Sequence, residues 1–432
     1  MRLRVLLCAY DSVQFHGGPH NWVCRFVPSL VLRGLDVRVC LLSWDEPHNG
    51  MAYSILREHG VDVCTRQFAD TESNVRWLLD EARDFFPDVF IANNVLPAFF
   101  ATRYLRHANV ICIGVIRSLD TFYDALTDRF AIAASPDRLT GIVFVSTFLL
   151  DRFTTRCTEV SARAIPSGAL VPSTAALDSN AVLRIAYVGR LVVEAKQVLL
   201  VAKALIRATS EVDGVEATIY GDGDERLSIE RLIDESDADL VKLAGHLSSS
   251  ELQARLQNTH VIVLLSDYEG LPMAIMEGMT CGCVPVCLRI PSGIPELVEN
   301  GVSGILVDDR DDSFVDAIRA LKNDPNLWKQ MSAAARDRVV QNYSMDAVTD
   351  RWMELLNSFG SISTSRVVAP PEMVLPEYDP VFAAEDRRSV PDSEQVAGNV
   401  DYETGRVRRL LGSIRRKLRR LCLRVGLVGS EN

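Results

Sequence analysis

The chain has 432 residues, 48% of them hydrophobic, which is more than one ordinary domain holds and enough for two full cores and a tail. Its formal net charge of −11 argues against nucleic acid as a general partner. The ten cysteines are scattered, and the only close set, Cys281, Cys283 and Cys287, lacks the paired C-x-x-C spacing of a zinc site, so reduced core thiols and no metal are expected.

No run of eighteen apolar residues occurs, and the apolar start, residues 1–10, meets Asp11 too early for a secretory signal. It reads as the buried first strand of a cytoplasmic protein. The loop 11–21 carries Gly17 and Gly18 and opens an amphipathic helix through Arg33; a turn at Gly34 leads to a strand over 37–42. Strand, glycine loop, helix and strand make one right-handed crossover unit of a parallel sheet. The loop is not G-x-G-x-x-G, so the dinucleotide fingerprint is absent. On its residues alone it reads as a tight turn or as a backbone cradle facing a diphosphate. Further α/β units follow: helix 54–59 into strand 61–63, helix 74–85 into strand 89–92, strand 110–115, and strand 141–146 into helix 147–156. A strand and Pro-x-Gly turn over 164–168 closes this half, and residues 169–181, rich in Pro, Ser, Thr, Asp and Asn, read as a linker.

The pattern restarts with a strand over 183–188, then Gly189-Arg190, Lys196 and a helix over 197–209. An arginine at a strand end and a lysine at a helix start can converge on one anion, the guanidinium forked to phosphate oxygens and the ammonium as a point charge. Taken alone, the two also read as a surface pair. Strand 215–220 runs into the Gly221 turn, and strand 241–246 carries Gly245 before a helix over 250–258. The apolar run 261–265 predicts a buried parallel strand, and 272–280 the helix after it, so Glu269 and Gly270 fall at the sheet's carboxyl edge, where open α/β sheets bind ligands. Gly270 permits close backbone approach, Leu271 follows, and Pro272 suits a first helical turn. Glu269 and Glu277, eight positions apart, can reach one elongated ligand, or can cap the helix dipole and sit in solvent. Beyond them come a strand over 304–307, a helix over 312–323 with Asp311 and Ser313 as cap residues, a helix over 325–342, a break at Tyr343-Ser344 and a last helix over 345–359.

Glu269-Gly270-Leu271-Pro272, Glu277, Cys281-Gly282-Cys283-Val284-Pro285-Val286 and Ser292-Gly293-Ile294-Pro295-Glu296-Leu297-Val298, in that order, resemble the E-x7-E block of retaining glycosyltransferases of the GT-B fold, family 4. The resemblance spans about residues 1–359, tightly over 189–304 and loosely before Gly168. It implies two Rossmann-like, doubly wound parallel-sheet domains facing a cleft: an acceptor domain over 1–170, a donor domain over 182–342 and a helix over 343–359 crossing back to the first. It implies transfer of a sugar from a nucleotide-sugar donor, a UDP- or GDP-sugar, to a glycan, lipid-linked or small-molecule acceptor with retention of configuration and with no cofactor or metal. In that scheme Glu269 holds donor-sugar hydroxyls and Glu277 the ribose, while Arg190 and Lys196 meet the leaving diphosphate. Gly17, Gly18, Gly189, Gly221, Gly245, Gly270, Leu271 and Pro272 line the donor. Many relatives place a histidine after the fourth strand of the first domain; here that region reads Gly114-Val115-Ile116-Arg117-Ser118-Leu119-Asp120. Arg117 or Asp120 facing the acceptor, His16 or His20 substituting from the glycine loop, and loss of activity all stay open. So do two other functions: a GT-B nucleotide-sugar hydrolase or epimerase, and a catalytically silent sugar-nucleotide-binding protein.

Residues 360–405 change to Ser, Pro, Glu and Asp with little periodicity and read as a disordered linker. Over 406–425 apolar residues recur at helical spacing, and between Arg406 and Arg424 there are nine Lys or Arg and no acid, leaving the rest of the chain near −20. This is the pattern of a basic amphipathic helix on an anionic membrane surface, which would make the protein peripheral at the inner face of the membrane. Docking on the acidic body and a nucleic-acid arm are the alternatives.

Overall fold

The computed structural model describes residues 2–13, 17–157, 159–173, 182–360, 364–375 and 382; His16 and the segment 406–425 lie outside them. One compact unit, within residues 1–68 and 72–377, contains two parallel sheets.

The first half runs β1 (Arg4–Asp11), α1 (Gly18–Leu32), β2 (Asp36–Ser43), α2 (Met51–Glu58), β3 (Asp62–Gln67), α3 (Thr71–Phe85), β4 (Val89–Asn93), α4 (Leu96–His107), β5 (Ile111–Ile116), α5 (Thr121–Thr127), a π-helical turn (Asp128–Ile132), β6 (Gly141–Phe144), α6 (Thr147–Thr154) and β7 (Ser161–Ala164). Its seven strands lie in the order β3-β2-β1-β4-β5-β6-β7, all parallel. Helices cover both faces, so β1 and β4 are buried along nearly their whole length, and between their polar ends, Arg4, Asp11 and Asn93, their sequences are apolar. The sequence pattern did not reveal α4: Leu96 through Thr102 and Leu105 are all buried, leaving few polar positions to mark a helical period. The closing strand lies at 161–164, upstream of the stretch expected from the sequence, because Ser161-Ala162-Arg163-Ala164 is an edge strand with little burial.

The second half runs β8 (Leu183–Val188), α7 (Val198–Glu211), β9 (Val215–Tyr220), α8 (Arg226–Glu235), β10 (Val241–Gly245), α9 (Ser249–Leu256), β11 (Val261–Leu264), α10 (Met273–Thr280), β12 (Val284–Leu288), α11 (Ile294–Leu297), β13 (Ile305–Val307), α12 (Asp312–Asn323) and α13 (Pro325–Asn342). The order β10-β9-β8-β11-β12-β13 repeats the first sheet's arrangement, again all parallel. Chain direction across the sheet reverses between β8 and β11, as it does between β1 and β4, and ligands of doubly wound sheets bind at such reversals. The start of α12 differs from expectation: Asp311 makes no cap, and the Asp309 carboxylate accepts from the Asp311 and Ser313 amides at 2.8 and 3.0 Å.

Helix α14 (Met345–Ser358) returns to the first half. Ser344 caps it, and Ala169 exchanges backbone hydrogen bonds with Tyr343 and Met345 at 2.8 and 2.9 Å. Val348, Trp352, Leu355 and Leu356 join the first domain's core, with the Trp352 ring 5.0 Å from Phe26. Part of the stretch that composition assigns to a linker, residues 364–375, is held to α3 and α4. Ser365 donates to the Ala108 carbonyl at 2.9 Å, and Arg76 donates to the carbonyls of Pro370 and Pro371 at 2.9 and 3.0 Å. Among the described residues no helix is long and apolar enough to cross a membrane.

Candidate functional site

The reversal between β8 and β11 gathers charged side chains. The buried strand β11 delivers the loop 266–271, while the loop 189–197 leaves β8 beside it. Lys196 Nζ lies 2.5 Å from Glu269 Oε1, with 18% and 11% of the two side chains exposed. Arg190 is exposed, and its carbonyl accepts from the Tyr187 hydroxyl at 3.1 Å. Burial holds the Tyr187 phenol well above its ordinary range, with Glu269 pushing it further and Arg190 opposing, so all three lie within electrostatic reach. Ser266 is buried, and its hydroxyl meets no partner among the described residues.

The floor is made of three strand ends. Gly189 follows β8, Gly221 follows β9 and Gly245 ends β10, and these strands are neighbours in the sheet. The Gly221 amide donates to the Gly245 carbonyl at 2.8 Å, and the Gly189 amide donates to the Tyr220 carbonyl at 3.1 Å. Gly221 has φ +143°, and a Cβ there would fall 1.9 Å from the Gly189 carbonyl oxygen, so only glycine lets the two loops nest. Lys196 sits between Ala195 and Gln197, both left-handed, at φ 59° and 49°. Each such residue costs about 1–2 kcal/mol, which the surroundings must offset.

The turn before α10 faces the first domain. Pro272 occupies the cap position with no side-chain cap, which leaves the first amides of α10 open. Leu271 is buried. A Cβ on Gly270 would fall 2.0 Å from the Arg117 carbonyl, and one on Gly18 would lie 3.2 Å from Met273 Sδ. The Glu-Gly-Leu-Pro turn therefore abuts the loop after β5, and the first residue of α10 abuts the first residue of α1. Gly17 stands at the uncapped start of α1. Glu277 is directed differently from Glu269: its Oε1 lies 2.6 Å from Arg25 Nη1 of α1. Glu296 of α11 accepts from the amides of Thr147 and Phe148 at 2.8 and 2.5 Å and so caps α6 of the first domain. Arg25 carries no local sequence signal, because one basic residue on an amphipathic helix reads as a solvated position.

The candidates left open in the first domain have structural partners. His20 is buried with Nε2 2.8 Å from Asp11 Oδ1, and Asp11 also accepts from the amides of Ser12, Ala52 and Tyr53 at 2.9, 3.0 and 2.9 Å. Arg117 donates to Asn93 Oδ1 at 3.0 and 2.8 Å and to the Ser167 hydroxyl at 3.0 Å, and stacks 4.2 Å from the Trp22 ring centroid. Burial lowers its pKa to about 10, so it remains a cation at neutral pH. Asp120 caps α5 by accepting from the Tyr123 amide at 3.1 Å.

Two doubly wound parallel sheets, each with its reversal point turned to a shared set of loops, constitute the GT-B fold. Residues 179–338 match the model of the family described as glycosyl transferases group 1. The chain is similar to a putative colanic acid biosynthesis glycosyltransferase, WcaL, of Salmonella typhimurium, at 34% identity over 128 residues, covering 28% of this chain and 31% of that protein. It is similar to the alpha-D-kanosaminyltransferase of Streptomyces kanamyceticus, at 30% identity over 176 residues, covering 40% of this chain and 45% of that protein. The matched stretch thus spans less than half of either relative. Among solved structures, Anabaena HepE in complex with UDP and glucose superposes with a TM-score of 0.66 at 17% identity, covering 83% of this chain and 100% of that one.

Proposed function

We propose that this protein is a glycosyltransferase that moves a sugar from a nucleotide-sugar donor to a carbohydrate or lipid-linked acceptor with retention of anomeric configuration. The observation that carries the reading is the Lys196–Glu269 contact at the β8–β11 reversal, beside the Gly189–Gly221 nest and the open start of α10. Departure of a nucleoside diphosphate develops oxocarbenium character in the sugar and negative charge on the β-phosphate. Lys196, Arg190 and the first amides of α10 supply fixed positive charge for that oxygen, and removing one such contact costs on the order of 3 kcal/mol in the barrier. Glu269 holds hydroxyls of the donor sugar. Glu277 holds the ribose, shared with or released from Arg25. Gly17, Gly18, Gly189, Gly221, Gly245, Gly270, Leu271 and Pro272 line the donor.

The match over residues 179–338 supports transferase chemistry, and UDP and glucose in the HepE complex support a nucleotide-sugar donor, which we take to be a UDP- or GDP-sugar. Retention, membership of family 4 and operation without a metal follow from the resemblance of the E-x7-E block. The nine Lys and Arg between Arg406 and Arg424 support a cytoplasmic protein peripheral at an anionic membrane face.

A mass-spectrometric donor screen with UDP-, GDP- and ADP-sugars, paired with calorimetry, tests the reading. A UDP- or GDP-sugar should bind and release its nucleoside diphosphate faster with acceptor present. A well-folded chain that binds no nucleotide sugar ends it. In liposome flotation, removal of residues 400–432 should abolish recovery with anionic vesicles; equal flotation of the two forms removes the membrane assignment.

A further inference from the structure

We propose that Asp267 and Arg310 are positioning residues that hold Lys196 against Glu269, an inference that rests on the reading of Lys196 as a diphosphate contact. The turn that carries Lys196 is left-handed on both sides, at Ala195 (φ 59°) and Gln197 (φ 49°). Neither residue is glycine or asparagine, so the turn is not specified by its own sequence and needs outside support. Asp267 holds the turn at two points and is itself held at a third. Its amide donates to the Ala195 carbonyl at 2.8 Å. Its Oδ2 accepts from Gln197 Nε2 at 2.6 Å, and its Oδ1 meets Arg310 Nη2. The Arg310 Nε donates to the Leu265 carbonyl at 2.8 Å, at the end of β11.

Arg310 arrives from the loop between β13 and α12, and one guanidinium ties both the strand end and the carboxylate that grips the Lys196 turn. Glu269 stands two residues beyond Asp267 on the same loop. The clamp therefore fixes the separation of ammonium and carboxylate from the outside, through contacts to Ala195, Gln197 and the Leu265 carbonyl. A lysine at 310 offers one ammonium, which cannot fork to a carbonyl and a carboxylate in this planar geometry.

The test is a double-mutant cycle between Arg310→Met and Lys196→Met, read by nucleoside diphosphate affinity in calorimetry and by donor turnover. Arg310→Met should weaken diphosphate binding about tenfold with a near-native melting temperature, and should add less than about twofold when Lys196 is already Met, because it acts through that lysine. Arg310→Lys should behave like Arg310→Met. A full tenfold loss on top of Lys196→Met, or no loss at all, overturns the clamp. If Arg310→Met does not fold, Asp267→Asn takes its place in the same cycle. Hydrogen exchange supplies a readout free of the donor: in Arg310→Met the Asp267 amide should lose protection while the strands keep theirs, and retained protection overturns the proposal. A wild-type chain that binds no UDP or GDP defeats the donor reading, and the exchange result then decides the clamp alone.

Discussion

Arg25 of α1 and Glu277 of α10 lie 2.6 Å apart with 10% and 18% of their side chains exposed, so a largely buried ion pair joins the two domains beside the site. The carboxylate expected at the donor ribose already has a cation from the opposite sheet. Removing one partner of such a pair leaves an uncompensated charge, and Arg25→Met should destabilise by about 3 kcal/mol. Glu277→Gln combined with Arg25→Met should recover much of that loss, since neither charge then remains. Thermal melting of the two single variants and the double variant checks this; additive losses would mean that the two groups do not interact.

The Lys196–Glu269 contact makes a separate prediction about chemistry. Glu269→Ala should abolish sugar transfer while sparing nucleoside diphosphate affinity, because its carboxylate serves the sugar end of the donor. Arg190→Ala with Lys196→Ala should weaken diphosphate binding itself and lower turnover by about a hundredfold or more. Calorimetry with the diphosphate and initial rates with the full donor separate the two effects. Full activity in both variants would mean that the site lies elsewhere.

Much of this arrangement is legible in the sequence because parallel strands covered on both faces must be apolar throughout. The runs at 183–188 and 261–265 announce the strands whose ends carry Gly189, Arg190 and Glu269. The turn Glu269-Gly270-Leu271-Pro272 is legible for a local reason: glycine admits a neighbouring backbone and proline fixes a helix start. What is not legible is pairing over distance. Asp267 and Arg310 are 43 residues apart, and Arg25 meets Glu277 from the other domain, so no spacing rule links them. Helix α4 is hidden because its first seven residues, Leu96 to Thr102, are all buried, and the start of α12 depends on Asp309 folding back on its own turn.

Glu296 ties the domains in another way, since its carboxylate takes the first two amides of α6. A lost cap of this kind costs about 1 kcal/mol. Glu296→Ala should therefore lower stability by about that amount and raise hydrogen exchange at Thr147 and Phe148, whereas Glu296→Gln, which keeps one acceptor, should lose less. Unchanged exchange at these two amides would show that Glu296 does not cap them.

Helix α14 is held to the first domain by Trp352, which is 1% exposed and packs against Trp22 and Phe26 at centroid distances of 6.0 and 5.0 Å. Trp352→Ala removes a buried aromatic from a filled core and should cost about 3–5 kcal/mol. Thr349→Val, which breaks the 2.9 Å hydrogen bond to the Ser29 hydroxyl, should cost about 1 kcal/mol. Urea unfolding followed by tryptophan fluorescence measures both, and a Trp352→Ala loss near that of Thr349→Val would place the anchor elsewhere.

The buried thiols give the chain an alkaline limit. Burial pushes Cys24 from 9.0 up to about 12, with Asp11 adding to the shift, and pushes Cys281 from 9.0 up to about 11. Between those values the unfolded chain has lost protons that the folded chain keeps. The unfolded state therefore binds fewer protons, and stability falls as pH rises through the window. The contribution is whole below pH 9.0 and fades toward 11 for Cys281 and 12 for Cys24. Each unit between folded and unfolded values is worth on the order of 1.4 kcal/mol. Lysines and tyrosines titrate in the same range, so the measurement is a comparison: Cys24→Ala with Cys281→Ala should show a shallower loss of melting temperature above pH 9.0 than the parent chain. Identical slopes would mean that these two thiols ionise alike in both states.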